Sequence, residues 1–230
     1  VAKHCRSKHT EIEVKPDVES ILDSIVYAFD EPFADDTTVP SYHLCKNVGK
    51  ELKVALSGLG GDELFGGYER YLGFKLSGVY NLLPAYIREK IIRKIIEALP
   101  ERSDGHYTIN HLKRFVRHAS LKSDSRYYGF IATPLGLRLF NDSKTFQEGF
   151  ASTQQMFLDL FNSSNAANDL DKVFYCDLKT YLPEDLLACT DRISMAHSLE
   201  VRVPFIDHKL VQFCATIPNT YKIKFTQKKH

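Results

Sequence analysis

The sequence predicts an α/β fold, with a partial parallel sheet flanked by helices and a largely helical second half. Three observations predict it. Residues 54–56 form a short apolar run of β-prone residues, long enough for a buried strand but too short for a helix. Apolar residues recur at helical spacing before this run, and helices alternating with strands typically flank a parallel sheet. From about residue 107 onward the spacing stays helical.

The first 74 residues are predicted to form the α/β part. Residues 10–14 alternate polar and apolar side chains, as a short strand would. A helix is predicted after Pro16, with Asp17 as its N-cap and an apolar stripe that ends at Phe29. A second helix is predicted over residues 41–52, directly before the strand.

Residues 75–170 are predicted to form a variable helical region, and residues 171–230 a further helical part. The clearest amphipathic helix is predicted over residues 85–99, where the apolar side chains form one stripe that is expected to be buried in a core. Breaks are predicted at 134–136 and around 162–168, and helices over 173–182, 185–197 and 209–215. The stripe consists of Ile87, Ile91, Ile92, Ile95, Ile96 and Leu99.

Composition and charge exclude several classes of function. The chain has 230 residues, 43% of them hydrophobic, and a net charge of +1, so nothing draws it as a whole to nucleic acid or to a membrane. No apolar run reaches the length of a membrane span. Five scattered cysteines without a CxxC pair predict reduced thiols in the cytoplasm.

A basic stretch over residues 86–122 carries nine Lys/Arg and four Asp/Glu. A solvated helix surface is favoured over an RNA-binding face. If the stretch did bind nucleic acid, the protein would be retained on RNA or DNA in a salt-sensitive way. His106, His111 and His118 lie in the same stretch without carboxylate or cysteine partners at metal-ligand spacing. We interpret them as surface or packing residues rather than zinc ligands.

The stretch that follows the strand, SGLGGDELFGGY, has the composition of a ligand site. Glycines at positions 58, 60, 61, 66 and 67 allow positive φ angles and close approach of the backbone to a phosphate or a planar base. Ligands bind outside the carboxyl ends of strands in open α/β sheets. Asp62 and Glu63 follow the turn, where carboxylates could hold Mg²⁺. The alternative is a tight turn with solvated carboxylates.

Two segments carry a resemblance to a known family. SGLGGDELFGGYERY, at 57–71, and DRISMAHSLEVRVPFIDHKLVQF, at 191–213, resemble the two signatures of the adenylation domain of glutamine-dependent asparagine synthetases. DEPFADDTTVPSY, at 30–42, is similar to the family's approach to the glycine turn. The resemblance implies an ATP-pyrophosphatase-like α/β fold over residues 1–230. It matches only loosely over 75–170.

The reaction that the resemblance implies has two steps. The β-carboxylate of aspartate attacks the α-phosphorus of ATP, which gives an acyl-adenylate and pyrophosphate, and ammonia then displaces AMP to give asparagine. ATP and Mg²⁺ are the implied cofactors. Ser57, Gly58, Leu59 and Gly60 match the positions that hold the nucleotide. Asp62 matches a carboxylate that ligates Mg²⁺, and Lys229 matches a lysine that contacts the acyl-adenylate phosphate, although it can also be read as a solvated tail residue.

Alternating charge in the second signature places Glu200 and Arg202 on the same side of an extended segment. A structural ion pair that positions the loop is the favoured interpretation for them. The same positioning role is expected for a wider set of charged residues in the two signatures, which comprises Glu63, Asp191, Arg192, Glu200, Arg202 and Asp207.

Two departures from the family leave alternatives open. The diphosphate-binding loop of the family is not found in the chain and is expected upstream, so the chain alone is expected to be inactive. Leu59 stands where asparagine synthetases have a glutamate that helps to form the acyl-adenylate. Leucine cannot transfer a proton, so we hypothesise that Glu184 or Asp185 supplies the carboxylate, or that the acceptor differs. Relatives that form β-lactam rings or amidate sugars or peptides remain alternatives, as does a catalytically silent binding module.

The resemblance also implies partners. Aspartate or another carboxylate is the expected substrate, and ammonia is expected from an N-terminal glutaminase domain that is absent from this chain. Cys5 does not have the placement of that domain's nucleophile. A homodimer is an assembly that this interpretation leaves open.

Overall fold

A computed structural model describes residues 1–14, 18–33, 35–100, 108–132, 144–224 and 227–228. In the first half of the chain its elements are α1 (Ala2–Cys5), α2 (Val18–Phe29), α3 (Thr38–Glu51), β1 (Val54–Leu56), α4 (Gly61–Phe65, with Gly66 as its C-cap), α5 (Glu69–Tyr80), a π-helix (Ile87–Ile92), α6 (Arg93–Glu97), α7 (Thr108–His118) and α8 (Ser123–Ile131). The second half contains α9 (Lys144–Ser163), α10 (Asp169–Lys179), a second π-helix (Leu182–Leu187), α11 (Ala188–Ala196), β2 (Glu200–Arg202), a 3₁₀ turn (Pro204–Ile206), α12 (His208–Thr216), α13 (Asn219–Lys222), β3 (Ile223–Lys224) and β4 (Gln227–Lys228).

These elements group into two compact units that alternate along the chain. The first unit combines Val1–Leu59 with Thr180–Asp207, and the second combines Gly60–Lys179 with His208–His230. The three regions predicted above, residues 1–74, 75–170 and 171–230, divide the chain along its sequence and not by compactness. That division stays a prediction.

The first unit contains the predicted parallel sheet. β1 pairs with β2 in parallel, with Ala55 opposite Val201. Because side chains alternate across a strand, these two residues share one face of the sheet. That face packs on a core formed by α2, α3 and α11. The buried members of this core are Ile21, Ile25, Phe29, Tyr42, Cys45, Cys189, Ile193 and Leu199.

The second unit has an aromatic core between α5, α8, α9 and α10. Tyr71, Tyr127 and Val173 are fully buried in it. The rings of Tyr71 and Phe174 meet edge to face, with centroids 4.8 Å apart, which is a favourable geometry for an aromatic pair. The antiparallel pair β3–β4 also belongs to this unit, and Ile223 of β3 is fully buried.

The predicted α/β class is confirmed, as are the strand at 54–56, both early helices, and the helices of the second half with shifts of a few residues at their ends. The strand is not buried as expected, because Val54 is 43% and Leu56 is 74% exposed. The predicted break around 162–168 is confirmed because α9 ends at Ser163 and α10 begins at Asp169. The predicted N-cap Asp17, the break at 134–136 and Lys229 lie outside the described residues.

Two predictions about elements are wrong. Residues 10–14 are described and form no strand; alternation alone does not make a strand, which needs a partner for its hydrogen bonds. Residues 87–97 are helical, but the apolar stripe does not lie in a core. Ile91 is 43% exposed and Ile95 is 61% exposed. The first part is a π-helix, whose wider turn rotates successive side chains away from the stripe that an α-helix would form.

Candidate functional site

The glycine turn begins where β1 ends. The backbone N–H of Ser57 donates to the carbonyl of Arg202 at 2.9 Å, which continues the ladder between the two strands for one more residue. The Ser57 Oγ accepts a hydrogen bond from the backbone N–H of Leu59 at 3.3 Å, so the side chain closes the start of the turn. Ser57 therefore lies beside the 200–202 segment of the second signature.

Two glycines set the shape of the turn. Gly60 has φ 84°, in the left-handed region where any residue with a Cβ is strained. At Gly58 an added Cβ would meet no heavy atom within 4 Å, so there is open space in front of this backbone position. Open space at a glycine after a parallel strand is where a ligand can approach the main chain closely.

The helix α4 carries the two predicted carboxylates, Asp62 and Glu63. Asp62 is half-buried, and its carbonyl accepts a hydrogen bond from Gly67 at 2.9 Å. Glu63 is only 1% exposed, and its Oε1 accepts the hydroxyl of Tyr68 at 2.6 Å. Burial raises the pKa of Glu63, and the charges of Asp177 and Asp62 raise it further, against the lowering effect of the Tyr68 hydrogen bond. The two adjacent carboxylates thus have different environments.

Glu200 and Arg202 lie on the same side of β2, as predicted. The Nε of Arg202 is 2.8 Å from Oε1 of Glu200. Both side chains are more than half exposed, at 56% and 64%. An ion pair in such a position is worth about 0.2–1 kcal/mol at most, because solvent screens it. The pair is therefore a weak contributor to stability, and its role in positioning the loop stays a prediction.

Arg192 of the second signature forms hydrogen bonds that connect two helices of the first unit. Arg192 donates from Nη1 to the carbonyl of Phe29 and from Nη2 to Oε1 of Glu31, the latter at 3.3 Å. It thus joins α11 to the end of α2. Asp191 is exposed and lines, with Arg192 and Tyr42, an open cleft of about 870 Å³. Asp207 is exposed and follows the 3₁₀ turn, where its N–H donates to the carbonyl of Pro204 at 3.2 Å.

The predicted carboxylates Glu184 and Asp185 lie on the second π-helix. Glu184 is exposed, and Asp185 is half-buried. The charge of Asp185 contributes to raising the pKa of the Cys189 thiol, after the larger effect of burial. π-Helical turns occur often at functional sites because they redirect side chains within a helix. The catalytic role of Glu184 or Asp185 stays a prediction.

A buried polar network in the second unit was missed by the sequence predictions. Arg70 of α5 forms an ion pair of 2.8 Å with Asp177 of α10, whose side chain is fully buried. The sequence does contain an indication of this buried network. Asp177 occupies the i+7 position of the apolar stripe that starts at Leu170 and continues through Val173 and Phe174. A carboxylate on the buried face of a helix requires a compensating partner.

Within the described residues, there is no group of three or more His, Cys, Asp or Glu side chains placed to hold a metal ion. A search of the same residues found no helix with the length and apolar character of a membrane span.

Comparisons with known proteins identify a family and several relatives. The chain matches the family model described as asparagine synthase over residues 1–230. It is 32% identical over 209 residues to a putative glutamine-hydrolyzing asparagine synthetase of Mycobacterium tuberculosis, covering 91% of the chain and 31% of the relative. It is 31% identical over 208 residues to glutamine-hydrolyzing asparagine synthetase 1 of Bacillus subtilis, with coverage of 88% and 31%.

A more distant relative is amidase chyE of Penicillium rubens, which is 26% identical over 188 residues, covering 76% of the chain and 27% of the relative. The chain spans about a third of the length of the curated relatives that it matches. No solved structure matches it.

Proposed function

Because the chain belongs to the asparagine synthase family, we propose that the complete protein amidates a carboxylate at the expense of ATP through an acyl-adenylate. Aspartate is the proposed acceptor, and ammonia from glutamine, supplied by a glutaminase domain, is the proposed nitrogen donor. A homodimer and a cytoplasmic setting belong to the same proposal, and the free state of all five cysteines supports the latter.

The observation that carries the proposal is the turn after β1. Gly58 has open space in front of it, and Gly60 has a left-handed φ that a side chain would strain. We propose that the main chain of residues 57–60 approaches the nucleotide here, with the Ser57 hydroxyl also within reach of the adenylate. Backbone N–H groups at such a turn can hold phosphate oxygens without a Cβ in the way.

Asp62 is the proposed ligand of Mg²⁺. It is half-buried on α4, and the described residues offer no cluster of three ligands around it. Mg²⁺ is usually held by one or two carboxylates together with substrate phosphates, so a single protein carboxylate fits this ion better than a dedicated protein cage would. When bound, the ion would neutralise charge on the pyrophosphate leaving group.

The remaining roles follow from charge. Glu184 or Asp185 is proposed as the carboxylate that Leu59 cannot supply, and Lys229 as the cation at the acyl-adenylate phosphate, where it would stabilise developing negative charge. The charged residues of the second signature are proposed to position the loops around the acceptor. These are Asp191, Arg192, Glu200, Arg202 and Asp207.

Leu59 favours a second candidate, in which the adenylated carboxylate is not that of aspartate. Its side chain is half-buried at the turn and can neither carry a charge nor transfer a proton. A different acceptor would explain a leucine at this position. A catalytically silent binding module is the remaining alternative.

The complete protein tests these candidates through pyrophosphate release from ATP. Release should require Mg²⁺ and aspartate. Asp62→Asn should lower it by at least roughly 10- to 100-fold, the loss that removing even indirect support of a metal ligand causes. Asp159→Asn is the matched control, because Asp159 is exposed on α9 and accepts a local hydrogen bond from Gln155 at 2.7 Å.

Release with another carboxylate and none with aspartate would reject asparagine formation but keep the adenylation chemistry. No release with any carboxylate would favour the binding module. Leu59→Glu should raise the rate if a carboxylate is missing from the turn, and an unchanged rate would indicate that Glu184 or Asp185 already serves.

A further inference from the structure

The fully buried carboxylate of Asp177 is the centre of the polar network in the second unit. Its Oδ2 accepts hydrogen bonds from Arg70, at 3.1 Å from Nε and 2.8 Å from Nη2, and from the hydroxyls of Tyr71 and Tyr127, both at 2.6 Å. Burial, and next the charge of Asp177, raise the pKa of both tyrosines well above the usual value. They therefore remain protonated donors.

The network extends from Asp177 to α4. The guanidinium carbon of Arg70 lies 3.8 Å from the centre of the Tyr68 ring, a close cation–π contact. The hydroxyl of Tyr68 in turn donates to Glu63 Oε1 at 2.6 Å. Each member thus fixes the next, from Asp177 through Arg70 and Tyr68 to Glu63.

Burial of the network is not in itself a source of stability. Among the described residues, neither Oε2 of Glu63 nor Oδ1 of Asp177 has a hydrogen-bond partner, although both atoms are buried. Buried ion pairs are often no more stabilising than apolar residues of the same volume, and an unsatisfied oxygen adds to the penalty. What such a network provides is a defined geometry.

The element that the network holds in place is α4, which has five residues. A helix this short is not stable by itself. It is held by bonds from the N–H of Leu64 to the carbonyl of Gly60, at 3.0 Å, and from the N–H of Gly67 to the carbonyl of Asp62, at 2.9 Å. Glu63 is its deeply buried anchor, and Asp62 is the adjacent residue, so fixing Glu63 fixes the backbone that carries Asp62.

We infer that Asp177, acting through Arg70, Tyr68 and Glu63, is a positioning residue for the carboxylate of Asp62. The inference rests on the proposed role of Asp62 as a ligand of Mg²⁺. It assigns to residues of α5 and α10, which touch no reacting atom, the task of holding α4 in one conformation.

Tyr68→Phe tests the inference in the complete protein, because it removes the hydroxyl that reaches Glu63 and keeps the ring that stacks on Arg70. Amide hydrogen exchange at Leu64 and Gly67 should become roughly two- to tenfold faster, the range that loss of one hydrogen bond produces. The Mg²⁺ concentration that half-saturates pyrophosphate release should rise by a similar factor, whereas the rate at saturating Mg²⁺ should fall less.

Tyr128→Phe is the matched control. It removes a hydroxyl from a buried tyrosine of the same core, whose ring lies 5.5 Å from that of Phe157. It should leave exchange at Leu64 and Gly67 and the Mg²⁺ dependence unchanged. Asp177→Asn should resemble Tyr68→Phe, because it weakens the bond that holds Arg70.

If Tyr68→Phe lowers the melting temperature but alters neither the exchange of α4 nor the Mg²⁺ dependence, the network is only structural and the inference is rejected. If the wild-type protein releases no pyrophosphate, the proposed function fails. In that case the inference is tested separately by amide hydrogen exchange: it is rejected if Tyr68→Phe leaves the exchange of Leu64 and Gly67 unchanged.

Discussion

The imidazole of His118 is half-buried in α7 and packs against α8. Its ring centre lies 6.5 Å from that of Phe130, and its Nδ1 is so close to Gly129 that a Cβ at this position would clash with it. Burial lowers the pKa of His118 below its ordinary value, and the positive charges of Arg114, Arg117 and Arg93 lower it further. The folded protein therefore favours the neutral imidazole.

A dependence of stability on pH follows from this shift. The pKa of His118 is lower in the folded than in the unfolded protein, so the unfolded state binds more protons on acidification. The stabilising contribution is complete above the unfolded pKa of about 6.5, and it is lost as the pH falls through the folded pKa. The urea midpoint should therefore decrease between pH 7.5 and pH 5.5, and it should decrease less in His118→Leu.

His197 has to be separated from this effect, because its pKa is also lowered, by burial and by Lys46. It contributes a slope of the same sign to both proteins, so the informative quantity is the difference between wild type and His118→Leu. Identical slopes in the two proteins would show that His118 does not carry the dependence.

Residues whose partners are close in sequence were predictable, and residues with distant partners were not. The pairing of Glu200 with Arg202 follows from alternation along one strand. Arg70 and Asp177 are 107 positions apart, and which arginine would reach the buried carboxylate depends on how α5 packs against α10. The carboxylate on an apolar stripe predicts that a partner exists, but not which residue it is.

At the scale of elements, α4 ends at Phe65 and is capped by Gly66, which has φ 69°. An added Cβ would lie 2.8 Å from Cγ1 of Ile223, on β3, as well as straining the left-handed backbone. Gly66→Ala should lower the free energy of unfolding by about 1–2 kcal/mol from the backbone conformation alone, measured by urea denaturation.

Gly149→Ala is the control for this substitution. Gly149 lies in α9, and an added Cβ would meet no heavy atom within 4 Å. Removing a glycine from a helix interior should raise the free energy of unfolding by about 0.5–1 kcal/mol. A destabilisation of the same size by both substitutions would contradict the role assigned to Gly66.

The stripe at 87–99 shows why the existence of an element is easier to predict than its burial. Periodicity identifies an apolar face, but burial requires another element to cover it. α6 packs against α7, and Ile92 and Ile96 are half-buried, whereas Ile91 and Ile95 are exposed. The π-helical geometry of residues 87–92 was not predicted by the local sequence pattern.

For the molecule as a whole, the alternation of the two compact units along the chain could not be predicted from the sequence. The two segments of the first unit are separated by 120 residues (60–179), and those of the second by 28 residues (180–207). One boundary between the units falls inside the glycine turn, between Leu59 and Gly60. Composition and local periodicity describe segments, whereas compact units depend on contacts between segments.

Cysteine reactivity offers a way to follow both units at once, because each contains two buried thiols. These are Cys45 and Cys189 in the first unit, and Cys176 and Cys214 in the second.

All five cysteines are free, and Cys5 is the one that is exposed. Burial raises the pKa of Cys176 to about 12, with a smaller contribution from the charge of Asp177, and burial also raises the pKa values of Cys45 and Cys189. A buried thiol of raised pKa is a poor nucleophile, because the thiolate is the reactive form. A thiol reagent at pH 8 should therefore modify Cys5 rapidly, and the four buried thiols only when the protein is unfolded by urea. Cys5→Ser should abolish the fast phase and leave the slow phase intact. A second rapidly modified thiol in the folded protein, located by peptide mass spectrometry, would show that the core around it is open in solution.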